Sequence, residues 1–155
     1  MTPKPAHASR ITLAQLMQPS EANLHGNVHG GLVMKLMDEA GAAAAIRHAQ
    51  RPVVTVAVDQ VTFREPIHVG ALVTLEAVLT YTGRTSMEVQ IDVTAQNLIT
   101  GEHTHTHTAY FVYVALDDAG RPTVVPPLQL ESDDDRARWQ AAQERQAYRL
   151  AQRQK

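Results

Sequence analysis

The chain has 155 residues, 44% of them hydrophobic and 19% charged, with a formal net charge of −2 and no cysteine. Those values describe one soluble globular domain long enough to bury a core. The near-neutral charge gives no electrostatic case for nucleic acid, and the lack of cysteine excludes a disulfide framework, a cysteine nucleophile and a thiolate metal site.

Residues 1–10 contain Pro3 and Pro5 and no apolar core, so they are expected to be a flexible N-terminus and not a signal peptide. Residues 11–17 interleave Ile11, Leu13 and Met17 with Thr12 and Gln15, which predicts a first strand. Residues 18–21 turn. The stretch that follows is distinctive. Asn23, Gly26, Asn27, Gly30 and Gly31 make a loop whose backbone must turn tightly. Leucine, methionine and alanine then run without proline to about residue 50, just before Pro52, and predict a helix. Lys35, Asp38 and Glu39 share one stripe of that helix, and nearly everything else on it is apolar or small. Such a helix is buried by something that wraps it, and a carboxylate on it needs a cleft or partners. Glu39 reads as a partner of Lys35 or an outer-face charge. No apolar run approaches membrane-spanning length.

From residue 53 the pattern becomes β. Apolar residues at Val54, Val56 and Val58, then at Val61 and Phe63, slip by one position, which predicts a bulge or a bend near Asp59. Residues 71–81 and 87–97 alternate well around a hairpin turn at 82–85. In the second of them Met87, Val89, Ile91 and Val93 should point inward, and Glu88, Gln90, Asp92 and Thr94 outward. A last long strand is predicted over 103–116. One helix followed by long adjacent strands is an α+β pattern with an antiparallel sheet. His103, His105 and His107 alternate, which puts them on one strand face about 6.6 Å apart per step. Three residues so spaced do not converge on one ion, and no metal site is expected. In residues 131–155, Ser132 and Asp135 fit a capping box at the start of a charged helix. That helix lacks a continuous apolar stripe. It is expected to be partly solvated, or else packed against a neighbouring subunit through Trp139 and Tyr148.

Several motifs recur in a set order: the run from Asn23 to Gly41; Thr80-Tyr81-Thr82-Gly83 followed by Ser86-Met87-Glu88-Val89; Asn97-Leu98-Ile99-Thr100-Gly101; Val125-Pro126-Pro127; and the charged tail. Together they resemble the hot-dog-fold acyl-CoA thioesterases, and most of all the cytosolic long-chain, brain-type acyl-CoA hydrolases. The resemblance implies an antiparallel sheet wrapped around a long central helix over residues 11–130, with a C-terminal helical tail over 131–155. It implies hydrolysis of fatty acyl-CoA to free fatty acid and CoA, with no cofactor, CoA being part of the substrate. It also implies a cytoplasmic homodimer as the catalytic unit, assembled as a trimer of dimers, with no nucleic-acid or membrane partner.

Thioester hydrolysis needs an activated water or nucleophile and donors for the developing oxyanion. Backbone N–H groups at a helix N-terminus suit the second role, and Gly30 and Gly31 stand there. Asp38 lies about two turns on, roughly 10 Å by helix rise, which is far for one substrate atom contacted within one subunit. In the family, as the resemblance implies, Asn23 of one subunit meets Asp38 of the other. Asn23 then orients water or polarises the carbonyl; Asp38 is general base or nucleophile. On its own Asn23 also suits loop capping. His29 is read as a donor to an acyl oxygen or as a loop-packing residue. Arg84, Thr85 and Ser86, in one turn, and Arg64 are candidates for CoA phosphates. Thr55, Asp59 and Gln60 lie in a strand that borders the cleft in hot-dog folds. The rival function is an acyl-CoA binding or sensing module without catalysis.

Overall fold

The computed structural model describes residues 1–154. In chain order the elements are β1 (Lys4–Pro5), β2 (Ile11–Leu16), α1 (Gly30–Ala49), β3 (Val53–Val58), β4 (Leu72–Thr82), β5 (Ser86–Gln96), β6 (His103–Ala115), β7 (Leu128–Gln129) and α2 (Asp133–Arg153), with short 3-10 turns at Ala6–Ser9 and Pro19–Glu21. The main sheet has strand order β2-β4-β5-β6-β3, and every neighbouring pair in it is antiparallel.

Alternation builds the inner face of this sheet. Leu75 and Ala77 of β4 and Met87, Val89, Ile91 and Val93 of β5 are completely buried. Phe111, Tyr113 and Ala115 of β6 extend the same face. Helix α1 lies across it and buries Val33, Leu36, Met37, Ala40, Ala44 and Ala45. The alanines let helix and sheet approach closely. The apolar residues almost encircle the helix because the sheet curls round it. This is the hot-dog fold. Helix α1 ends at Gln50, whose φ of 53° is left-handed and whose N–H donates to Ile46 O.

Several features depart from the sequence reading. The N-terminus, expected to fray, is held: β1 pairs in parallel with β7, and Lys4 Nζ donates to His48 O at 2.8 Å. The slip in β3 comes earlier than Asp59, between Thr55 and Ala57, and the strand ends at Val58. Beyond it the chain leaves the sheet, so that Phe63 packs beside the start of α1. The three histidines do not share a face. A register shift opposite Val93 and Thr94 leaves Thr106 as the extra residue, so His107 turns inward while His105 stays outside near Asp92. Among the described residues no group of three metal-ligating side chains comes together.

The tail is a partly solvated helix, as expected, with Ala142 its one fully buried residue among those described. Helix α2 lies on the outer face of its own sheet, with Trp139 against Tyr81 at 4.6 Å between ring centroids and Arg145 over the Tyr110 ring at 3.7 Å. Tyr148 is exposed. Glu88 points outward, as expected, but is buried beneath the helix and held by Arg145 and Arg149.

Candidate active site

The loop before α1 is shaped by Asn23. Its Oδ1 accepts from the amides of His25 and Asn27 at 2.8 and 3.2 Å. Gly26, at φ 82°, closes the turn, and its N–H donates to Asn23 O. The loop is anchored where Val28 N–H donates to Ile67 O and His29 N–H to Glu21 O. Asn23 is therefore a turn-maker whose carboxamide oxygen is occupied, leaving its NH2 group for other use.

His29 takes the N-cap position of α1 but makes no side-chain capping bond. Gly30 and Gly31 occupy the first helical turn, where backbone N–H groups have no acceptor inside the helix. A Cβ on Gly30 would stand 3.5 Å from the Phe63 ring, whereas Gly31 is open. Asn23, Gly30, Phe63, Arg64 and His107 line one cleft of about 310 Å³. A small cleft with free N–H donors and a helix dipole suits an oxygen that gains negative charge. His29 itself is exposed and stands outside that lining.

Asp38 is elsewhere. Two turns along α1 its Oδ1 accepts from Thr55 Oγ1 of β3 at 2.8 Å and from the Tyr113 hydroxyl of β6 at 3.1 Å, and its own carbonyl accepts from Tyr113 as well. Burial first, and then the charge and hydrogen bond of Asp38, push the Tyr113 phenol far above its ordinary pKa of 10, so it remains a proton donor. Gly41 makes room for this contact, since a Cβ there would collide with the Tyr113 hydroxyl. Asp38 is thus an aimed carboxylate with Oδ2 left over. Beside it Lys35 and Glu39 pair with each other at the surface, 3.9 Å apart. Thr55 was legible as a candidate neighbour of the cleft. Tyr113 was not, because only its inward parity was visible and its partner lies 75 residues away.

The thioesterase superfamily model matches residues 25–102. The chain is 35% identical over 154 residues to the cytosolic acyl coenzyme A thioester hydrolase of Rattus norvegicus, covering 98% of this chain and 40% of that protein. It therefore spans about two fifths of that relative's length. A solved hexameric acyl-CoA thioesterase superposes with a TM-score of 0.93 at 35% identity, covering 98% of this chain and 97% of the other. The acyl-CoA hydrolase of Staphylococcus aureus superposes at 0.89 with 32% identity, covering 97% and 92%. The chain belongs to the thioesterase superfamily.

In this thioesterase-superfamily chain the remaining candidates divide between two places. Arg64 borders the Asn23 cleft. Thr85 and Ser86 line a second groove of about 1000 Å³ between β3 and α2, together with Asp59, Gln60, Arg145 and Arg149. Arg84 is exposed beside it, its carbonyl accepting from Val125 N–H. Asp59 accepts from Arg149 Nη1 at 3.0 and 3.1 Å, which ties the exit of β3 to the tail helix. The structure therefore brings Asn23 and Gly30 together, with Gly31 next to them on the helix, and keeps Asp38 and the Arg84 turn apart from them.

Proposed function

We propose that this chain is an acyl-CoA thioesterase that hydrolyses fatty acyl-CoA to free fatty acid and CoA, with each site shared between two subunits. The carrying observation is the separation on α1: free N–H donors in a cleft at its N-terminus, and an aimed carboxylate two turns away outside that cleft. One thioester does not span both within one chain. A second copy reconciles them. Strand β3 is an edge strand whose Val54, Val56 and Val58 are 42%, 48% and 42% exposed. An unpaired, apolar edge next to Thr55 and Asp38 is suited to cover by the same edge of a partner.

In this reading Gly30 and Gly31 N–H groups take the thioester carbonyl oxygen, and the Asn23 NH2 orients water or the carbonyl. Asp38 of the partner subunit, held in place by Thr55 and Tyr113, either takes a proton from the water that attacks the carbonyl carbon or attacks that carbon itself, giving an anhydride that water then opens. The carbonyl carbon gains oxygen, the C–S bond breaks, and the thiolate takes up a proton. Arg64, or the Arg84-Thr85-Ser86 turn beside its groove, meets CoA phosphates, and His29 faces the entering substrate. No cofactor takes part. Support comes from the relatives: the Staphylococcus aureus hydrolase was solved with butyryl coenzyme A and coenzyme A. It was also solved as separate alanine variants at an asparagine, an aspartate and a threonine whose spacing matches Asn23, Asp38 and Thr55. Hexameric relatives favour a trimer of dimers here. A cytoplasmic setting fits a relative named cytosolic, and no helix among the described residues is long and apolar enough to cross a membrane.

Thiol release from acyl-CoA separates an enzyme from a binding module. Asp38→Asn should lower kcat by ~10²–10⁴-fold, and retention of half the wild-type rate would refute the role. Sharing is tested by mixing inactive Asn23→Ala and Asp38→Ala proteins under conditions that exchange subunits. Mixed dimers then carry one intact site, and activity should return to roughly a quarter of wild type. A mixture that exchanges but stays inactive excludes the shared site.

A further inference from the structure

The cleft beside the start of α1 contains a hydrogen-bond acceptor that nothing else among the described residues uses. His107 is 4% exposed, stands on the inward side of β6 and lines the cleft with Asn23, Gly30 and Phe63. Its protonation pattern follows from its neighbours. Thr106 has a single hydroxyl proton and donates it to Val93 O at 3.1 Å. The same oxygen lies 2.8 Å from His107 Nδ1, so it must accept there, and the imidazole proton sits on Nδ1. Burial, and then the nearby His105, lower the His107 pKa from 6.5, so the ring is neutral near pH 7. Nε2 is then a bare lone pair, buried and without a partner among the described residues. His48 also has an unpartnered ring nitrogen, but it lines none of the clefts described above.

We infer that His107 Nε2 accepts a hydrogen bond from the amide N–H of the cysteamine unit of a bound acyl-CoA and so positions the thioester against the N–H groups of Gly30 and Gly31. This rests on the thioesterase reading. A thioester carbonyl and its sulfur offer acceptors only. The nearest donor on such a substrate is the amide N–H a few bonds along the pantetheine arm. The cleft has the complementary set: donors on the helix turn for the carbonyl, and one unpartnered acceptor on β6 for the N–H. Phe63 fixes their spacing, because its ring meets His107 edge-on at 4.8 Å between centroids and also packs against Gly30. His107 is thus a positioning residue that selects acyl thioesters of pantetheine over simple thioesters lacking that amide.

The test uses the full-length protein and two non-hydrolysable probes: S-butyl-CoA thioether, and its analogue with the cysteamine amide replaced by an ester. His107→Phe keeps the ring and its contact with Phe63 but removes the acceptor. His107→Gln returns an oxygen near the Nε2 position. Losing one hydrogen bond predicts about 3- to 10-fold weaker thioether binding and a matching rise in KM in His107→Phe, with kcat within twofold and recovery in His107→Gln. Wild type should prefer the amide probe by a similar factor, and His107→Phe should bind the two probes equally. Wild type binding both probes alike overturns the contact, even if His107→Phe does not fold. A fall in kcat at unchanged thioether affinity places the ring on the attacking water instead and also overturns it. Wild type that discriminates the probes but releases no thiol from acyl-CoA supports the contact and refutes hydrolysis, and wild type that binds neither probe refutes both.

Discussion

Replacing Glu88 with glutamine should loosen the tail helix from the sheet. The Glu88 carboxylate is 1% exposed and accepts four side-chain hydrogen bonds, from Thr80 Oγ1 at 2.6 Å, Arg145 at 2.8 and 3.1 Å, and Arg149 at 2.9 Å. Burial would raise its pKa, but the bonds from Arg145, Thr80 and Arg149 and the Arg145 charge outweigh that and hold it below 4.5. Glutamine keeps one oxygen, and its NH2 must then face two donors whichever way it is turned. Removing one partner of a buried ion pair costs about 3–5 kcal/mol. The two arginine side chains are 23% and 14% exposed, so water recovers part of their loss and the lower end, about 3 kcal/mol, applies. For a chain of this size that is roughly 6–12 °C in Tm. Trp139 is the one tryptophan and sits in α2 against Tyr81, so its fluorescence reports on the helix separately from far-UV dichroism of the whole chain. Its transition should come first in the variant. A Glu88→Gln protein whose Trp139 transition lies within about 0.5 kcal/mol of wild type would show that the ion pairs do not hold α2, that figure being the ordinary scatter of surface substitutions.

Tyr113→Phe removes one of the two side-chain donors that aim Asp38. It should reduce kcat by about 10-fold while costing about 1–2 kcal/mol of stability, read from turnover and urea denaturation together, and an unchanged kcat would discard the aiming role. Gly41→Ala puts a methyl group into the Tyr113 hydroxyl; overpacking of about 1–3 kcal/mol should exceed the helix-propensity gain of about 1 kcal/mol, and kcat should fall as in Tyr113→Phe. His48 and His107 both have pKa values lowered below 6.5, chiefly by burial. Their unfolded forms bind protons first, so stability is complete above about pH 6.5 and falls as pH drops toward the folded values, by at most about 1.4 kcal/mol per pH unit for each ring. Glu88 also has a lowered pKa, and its share is lost only below about pH 4.5, in a separate window. An unfolding free energy that stays flat from pH 7 to 5.5 would contradict the histidine assignment.

The sequence by itself determined what depends on near neighbours. The start and end of α1, the alternation of β4 and β5 and the Ser132 cap, whose Oγ accepts from Asp135 N at 3.0 Å, all follow from spacing along the chain. So did the family resemblance, because its motifs are contiguous. Tertiary structure decided the rest, for a common reason. Alternation counts residues on one strand, but the face a residue takes depends on the strand beside it. The shift between β5 and β6 that turns His107 into the cleft is a property of the pair and leaves no mark in His103-Thr104-His105-Thr106-His107. Glu88 has outward parity, and whether outward meant water depended on a helix 57 residues later bringing Arg145 over it. That helix showed no apolar stripe because it docks largely through charge, with Ala142 its one fully buried residue among those described. The aim of Asp38 needed Tyr113 from 75 residues away and a missing side chain at Gly41, and those meet only when the sheet has closed around the helix.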